Sequence, residues 1–215
     1  MTIHPRNEFS SMAAGAALAL PIPGFPGPVQ PTSLYPTGSE IYAQGELADS
    51  LYQIDFGCVR VYRLLADGRR QISAFHLSGE IFGFESGNTH HFFAEAIGAT
   101  GVRVLRPGPG MEISQAILPL ALQGLVRAQE HLLVLGRQNA AERVAAFLLD
   151  MADRQGGLEC FDLPMSRSDI GDYLGLTIET VSRVFSKLKE KGIIRLPNLR
   201  SVEVVKWQTL RNLSE

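Results

Sequence analysis

Glu179, Ser182 and Arg183 bring three kinds of hydrogen-bonding side chain together in the stretch 169–188, DIGDYLGLTIETVSRVFSKL. On one helix face they would present a carboxylate acceptor, a hydroxyl that donates or accepts, and a forked guanidinium. Such groups match the exposed edges of base pairs: the arginine fork fits guanine O6 and N7, glutamate accepts from cytosine N4, and serine serves either role. Ile178 beside them is unfavourably solvated, and a thymine methyl would give it an apolar contact. The competing reading is an exposed salt bridge between Glu179 and Arg183, spaced i, i+4, which contributes little to stability.

A set of this kind needs a helix that can be offered to a groove. Ile170, Tyr173 and Leu174 share one face of a first helical pattern, which stops at Gly175, a residue free to take the left-handed conformation that ends helices. Thr177 suits an N-cap for a second helix. On that helix Val181, Val184 and Leu188 fall together, with Glu179, Ser182, Arg183 and Ser186 on the opposite side. Two short helices around a glycine also occur in ordinary bundles, so the outer-face residues narrow the reading more than the turn does. Past Gly192, the run from Ile193 through Pro197-Asn198 to Val205 predicts strand, turn and strand, a wing with Arg195 and Arg200 at its ends.

Net charge alone, −2 over 215 residues, says nothing about a polyanionic partner, but its distribution does. From Pro164 onward nine Lys and Arg face six Asp and Glu, giving +3 and leaving −5 for the remainder. Residues 177–200 alone are +4, six basic against two acidic, which is where phosphate contact would be made. Hydrophobic content of 45% indicates a soluble globular chain with room for two modest domains. The apolar run Met12 to Leu20 is too short to span a membrane and lacks a strongly basic lead-in, so the expectation is a cytoplasmic protein without membrane contact. Cys58 and Cys160 cannot make a disulfide framework or a cysteine-rich metal site, and both are expected to be buried small hydrophobes.

Residues 1–33 hold Pro5, Pro21, Pro23, Pro26, Pro28 and Pro31 and are expected to form an irregular arm. Residues 34–110 change to short apolar or alternating runs, Ile41-Tyr42, Leu51 to Phe56, Cys58 to Leu65, Gln71 to Leu77 and Val102 to Leu105. Turns at Gly38, Gly45, Gly57, Asp67-Gly68 and Ser78-Gly79 punctuate them, which predicts a small antiparallel barrel or jelly roll. Residues 111–138 then form a helical pattern. Its seam, Leu118, Leu122, Leu125, Gln129, Leu132 and Gly136, has the alternating spacing of four and three that suits a coiled coil. A helix lying on its own barrel is the alternative, and Leu133 and Leu135 also need burial. Asn139 and Glu142 fit a capping box, so a new helix and a new domain, residues 139–215, start there.

Three segments together resemble the CRP/FNR superfamily of bacterial transcription regulators. Residues 45–83, GELADSLYQIDFGCVRVYRLLADGRRQISAFHLSGEIFG, match its sequence of strand, glycine, strand, Asp-Gly hairpin, strand and Gly-Glu. Residues 138–154, QNAAERVAAFLLDMADR, resemble the hinge and following helix of FNR-type and FixK-type members. Glu179, Ser182 and Arg183 match the superfamily's Glu–x–x–Ser–Arg recognition motif. The resemblance implies an α+β chain with an N-terminal β-roll resembling a cyclic-nucleotide-binding domain, a long dimerisation helix and a C-terminal winged helix-turn-helix. It also implies a homodimer on a palindrome of TTGA-type half-sites in double-stranded DNA, with Arg167, Ser168, Thr177 and Thr180 on phosphates. The loop Ala66, Asp67, Gly68, Arg69 and Arg70 matches one that touches RNA polymerase in the family, and the FixK-like type activates microaerobic and nitrogen-fixation genes.

Two departures bear on control. Cyclic-nucleotide receptors of the superfamily follow Gly-Glu with an Arg-Ser pair for the cyclic phosphate, whereas residues 88–96 read NTHHFFAEA and contain no arginine. Oxygen-sensing members hold an iron–sulfur cluster through cysteines in the arm, and this arm has none. The expectation is therefore an effector-independent regulator using no cofactor or metal. Two alternatives stay open: a sensor gated by 2-oxoglutarate, another ligand or haem, the last with His76 or His90 as axial ligand, and a cupin-like metalloenzyme using His76, His90, His91, Glu85 or Glu95.

Overall fold

The structure, a computed structural model, describes residues 30–106 and 113–214. Most of the expected arm, positions 1–29, lies outside the described residues. Its last residues belong to the barrel, because strand β1 (Thr32–Tyr35) pairs antiparallel with β8 (Thr100–Leu105).

Eight strands make the roll. They are β1, β2 (Glu40–Tyr42), β3 (Leu51–Phe56), β4 (Cys58–Leu64), β5 (Arg70–Leu77), β6 (Ile81–Phe82), β7 (Phe93–Ala96) and β8. One sheet runs β1-β8-β3-β6 and the other β2-β7-β4-β5, all antiparallel, and their inner faces bury Tyr42, Ile54, Val59, Val61, Phe82, Ala94 and Val102 together. The glycines expected at turns, Gly38, Gly45, Gly57, Gly68 and Gly79, all have positive φ. At Gly57 a Cβ would also lie 2.6 Å from Thr100 Oγ1, so the β3–β4 turn needs glycine for space as well as conformation.

Helix α1 (Ile113–Leu135) leaves the roll with Ile117 buried against Leu51 and Leu105. It ends one residue before Gly136, the last member of the expected seam. Helix α2 (Ala140–Arg154) begins at the predicted N-cap, Asn139, whose side chain accepts from Glu142 N at 2.9 Å. Glu142 reaches back to the Asn139 side chain rather than to its backbone, so the capping box is half-formed. Strand β9 (Cys160–Asp162), α3 (Arg167–Leu174), α4 (Ile178–Glu190), β10 (Ile194–Asn198), β11 (Ser201–Val204) and α5 (Trp207–Ser214) complete the chain, with a sheet ordered β10-β11-β9.

Roll and C-terminal unit are not separate beads. Cys58, Ile72, Phe75 and Leu77 from β4 and β5 belong to the same apolar cluster as Phe147, Leu148 and Met151 of α2 and Ile170 and Leu174 of α3. Phe75 meets the rings of Phe147 and Tyr173 at centroid distances of 6.2 and 5.1 Å. Cys58 is buried as expected, and burial pushes its thiol up to about 12; Cys160 instead stands exposed on the edge strand β9, where Phe161 is the residue that points inward.

Candidate nucleic-acid interface

The geometry starts at the turn between α3 and α4. Gly175 is left-handed (φ 64°, ψ 39°) and caps α3, and Thr177 caps α4 by accepting from Thr180 N at 3.2 Å. Gly171 makes the pair compact: a Cβ there would lie 2.6 Å from the Leu176 carbonyl oxygen, so α3 and the turn touch backbone to backbone. Val181, Val184, Phe185 and Leu188 are buried, which fixes the rotation of α4 and turns Ile178, Glu179, Ser182, Arg183 and Ser186 outward. Ile178 is 47% exposed, an apolar side chain on an otherwise polar face.

The Glu179–Arg183 ion pair of the competing reading is not formed among the described residues. The Glu179 backbone N–H and the Thr177 hydroxyl, with the charge of Arg183 adding to them, hold the Glu179 carboxyl below its usual range. Carboxylate and guanidinium thus both face outward from one side of α4.

Around that face, Ser168 and Thr177 are exposed and Thr180 half-exposed. Arg195 on β10 pairs with Glu203 at 3.0 Å and keeps most of its side chain in solvent. Arg200 lies at the hairpin tip beside Leu199, which is 96% exposed. Arg167 is different: its guanidinium packs 3.4 Å from the centre of the Phe185 ring, and desolvation there lowers its pKa, so phosphate contact would require it to unstack. The wing turn falls at Leu199-Arg200, after Pro197-Asn198, because β10 runs on to Asn198 across an irregular register.

Sequence reasoning missed the start of α3. Ser166 and Asp169 form a full capping box, with Ser166 Oγ accepting from Asp169 N at 3.0 Å and Asp169 Oδ2 accepting from Ser166 N at 3.1 Å. The S-x-x-D spacing in SRSD was the available signal.

Of the roll residues weighed for effector chemistry, His90 is buried and stacked on Tyr42 at 3.6 Å, and Tyr52 and Phe82 stack alongside at 5.3 Å. His91 is exposed and contacts Glu85 at 2.6 Å. His76 lies 3.6 Å from Glu80, against Phe82. No group of three or more His, Cys, Asp or Glu side chains suited to a metal occurs among the described residues. On the loop 66–70, Ala66 to Arg69 are exposed, but Arg70 turns inward onto α3, pairing with Asp169 at 2.5 Å and Asp172 at 2.8 Å. Along α1, Leu118, Leu122, Leu125 and Leu132 are each at least half exposed and Gln129 is exposed, an apolar stripe that nothing among the described residues covers.

A β-roll joined by a long helix to a winged helix-turn-helix with a hydrogen-bonding outer face defines a DNA-binding transcription regulator. Residues 33–107 match the cyclic nucleotide-binding domain and residues 142–213 the Crp-like helix-turn-helix domain. The nitrogen fixation regulation protein FixK of Rhizobium meliloti (strain 1021) is 57% identical over 83% of this chain and 85% of its own. FixK of Azorhizobium caulinodans is 42% identical over 97% and 90%. The solved structure of FixK2 from Bradyrhizobium japonicum superposes with a TM-score of 0.81 at 44% identity, covering 87% of this chain and 98% of that one. The chain belongs to the CRP/FNR superfamily, in its FixK-like branch.

Proposed function

We propose that the chain acts in the cytoplasm as a homodimer that binds a palindrome of TTGA-type half-sites and activates microaerobic and nitrogen-fixation genes without a small-molecule effector. One observation carries the effector-independent reading: the roll and the winged helix share a single apolar core, so the presentation of α4 is built into the fold. The stack of Tyr42, His90, Tyr52 and Phe82 supports it, since the inner space of the roll is taken by its own rings. Base readout is assigned to Ile178, Glu179, Ser182 and Arg183, and backbone contact to Ser168, Thr177, Thr180, Arg195, Arg200 and, after unstacking, Arg167. The uncovered leucines of α1 are the dimer seam, because a stripe of that kind is unfavourable in water and fits a second copy of itself. The exposed loop from Ala66 to Arg69 is the surface for RNA polymerase. The target genes follow from relatives that carry the description nitrogen fixation regulation.

Footprinting with untreated protein tests this reading. Protection of both half-sites without any addition is expected; protection that appears only after haem, a cyclic nucleotide or a reconstituted cluster would contradict it. A ligand-gated regulator is the second reading, favoured by a cavity of about 490 Å³ between the roll, α1, α2 and the end of α3 whose lining includes His76, Arg127, His131 and Tyr173. An absorbance spectrum and a thermal-shift screen separate the two.

A further inference from the structure

We propose that Arg60 and Arg70 of the roll are positioning residues for DNA reading: they grip Asp169 and Asp172 of α3 and so set the direction in which α4 is presented. The proposal rests on the DNA reading above and adds what aims it.

Asp169 is 4% exposed, and its two carboxylate oxygens have separate tasks. Oδ2 accepts from Ser166 N and Oγ at 3.1 and 2.7 Å, which closes the cap of α3. Oδ1 accepts from Arg60 Nη1 at 3.0 Å and Arg70 Nη2 at 2.5 Å, both from the roll. A carboxylate serving only as a cap would leave that second oxygen to solvent.

Each arginine is itself held. Arg60, on β4, gives its other terminal nitrogen, Nη2, to Glu95 of β7 at 2.5 Å. Arg70, at the start of β5, donates from Nε and Nη2 to Asp172 Oδ2 at 2.9 and 2.8 Å, and Gln71 Nε2 donates to the Asp172 carbonyl at 2.7 Å. Two strands of the roll thus grip the first and second turns of α3 through paired, directional bonds. Apolar contacts such as Phe75 against Tyr173 hold the two units together but tolerate sliding; forked guanidinium–carboxylate bonds do not. Because α3 and α4 meet backbone to backbone at Gly171, whatever orients α3 orients the reading helix.

The test uses the full-length protein and four forms: wild type, Arg70→Glu, Asp172→Arg, and the charge-exchanged double variant. Binding to the palindrome and to a scrambled duplex of equal length is measured by fluorescence anisotropy at one salt concentration, with circular dichroism to verify folding. Each single change should weaken palindrome binding by at least about tenfold, the size of one charge-assisted hydrogen bond, since Arg70→Glu removes three such bonds and Asp172→Arg two, with scrambled-duplex binding not falling in parallel. The exchange should restore part of the loss, the part carried by the pair with Asp172, because a carboxylate at position 70 still faces Asp169. Rescue by the exchanged pair is a readout that general destabilisation would not produce. Folded single variants that bind like wild type, or an exchange that rescues nothing, would overturn the proposal.

If wild type itself fails to distinguish the two duplexes, the DNA reading fails instead. The grip is then judged by distance distributions between spin labels at L64C and K187C in a C160S background, with labelled subunits diluted in unlabelled ones. The distribution should be narrow with the native pair, broad in Arg70→Glu and narrower again in the exchange; equal widths in all three would remove the grip.

Discussion

Arg183, the guanine contact in the proposed readout, is exposed on α4 and not bound to Glu179 four residues before it. Replacing it with alanine should cost roughly 1–3 kcal/mol of binding to the palindrome and flatten discrimination at the guanine of the half-site, as measured by competition with single-base variants. Equal weakening on every duplex would mark Arg183 as a phosphate contact. The outer-face residues were legible in the sequence because helical periodicity separates them from Val181, Val184 and Leu188 within a few turns. Arg167 and Arg70 were not. Arg167 stacks on Phe185, eighteen positions away, and Arg70 pairs with Asp169 and Asp172 about a hundred positions on; such partners are chosen by the fold, not by local pattern.

At the scale of elements, α1 carries the clearest consequence. Its inner side rests on the roll through Ile117, while Leu118, Leu122, Leu125 and Leu132 face outward. If the proposed homodimer forms through this stripe, Leu125→Glu puts charge into the seam and dissociates it, read as a halved mass in analytical ultracentrifugation, with palindrome affinity falling at least tenfold because two half-sites are no longer held by one particle. A variant that remains dimeric would move the interface away from this stripe. Strands bounded by glycine turns were readable, since positive φ imposes a residue type; β3 was predicted from Leu51 to Phe56 and is found there. Strands β1, β6, β7 and β9, of two to four residues, were missed, as was α5. Segments so short show too little alternation to be seen, and their pairing partners lie far along the chain.

For the whole molecule, ionic contacts tie the roll to the two helical layers. Glu80 meets Arg127 of α1 at 2.9 Å and Arg154 of α2 at 2.8 Å, with His76 at 3.6 Å. Burial opposes ionisation of Glu80, but the neighbouring cations and His76 outweigh it and hold the carboxyl at about 2. At 3.6 Å His76 is beyond hydrogen-bond length, so the arginines carry most of that effect. Since the folded value is below the unfolded one, the unfolded chain binds the extra proton between the two. The contribution of Glu80 is therefore complete above about pH 4.5 and is lost as the pH falls toward 2. Glu80→Gln should lower stability at neutral pH by about 3 kcal/mol and make the acid limb of the stability curve shallower, in denaturant titrations at several pH values. An unchanged acid limb would place the protonation that unfolds the chain elsewhere.

In the proposed reading the folded chain recognises DNA unaided, with α4 aimed by the body of the protein. The most direct measurement is selection from a random duplex library by purified, untreated full-length protein. Enrichment of a palindrome with TTGA-type half-sites at one fixed spacing is the result predicted. Enrichment of no sequence until a small molecule is supplied would contradict it.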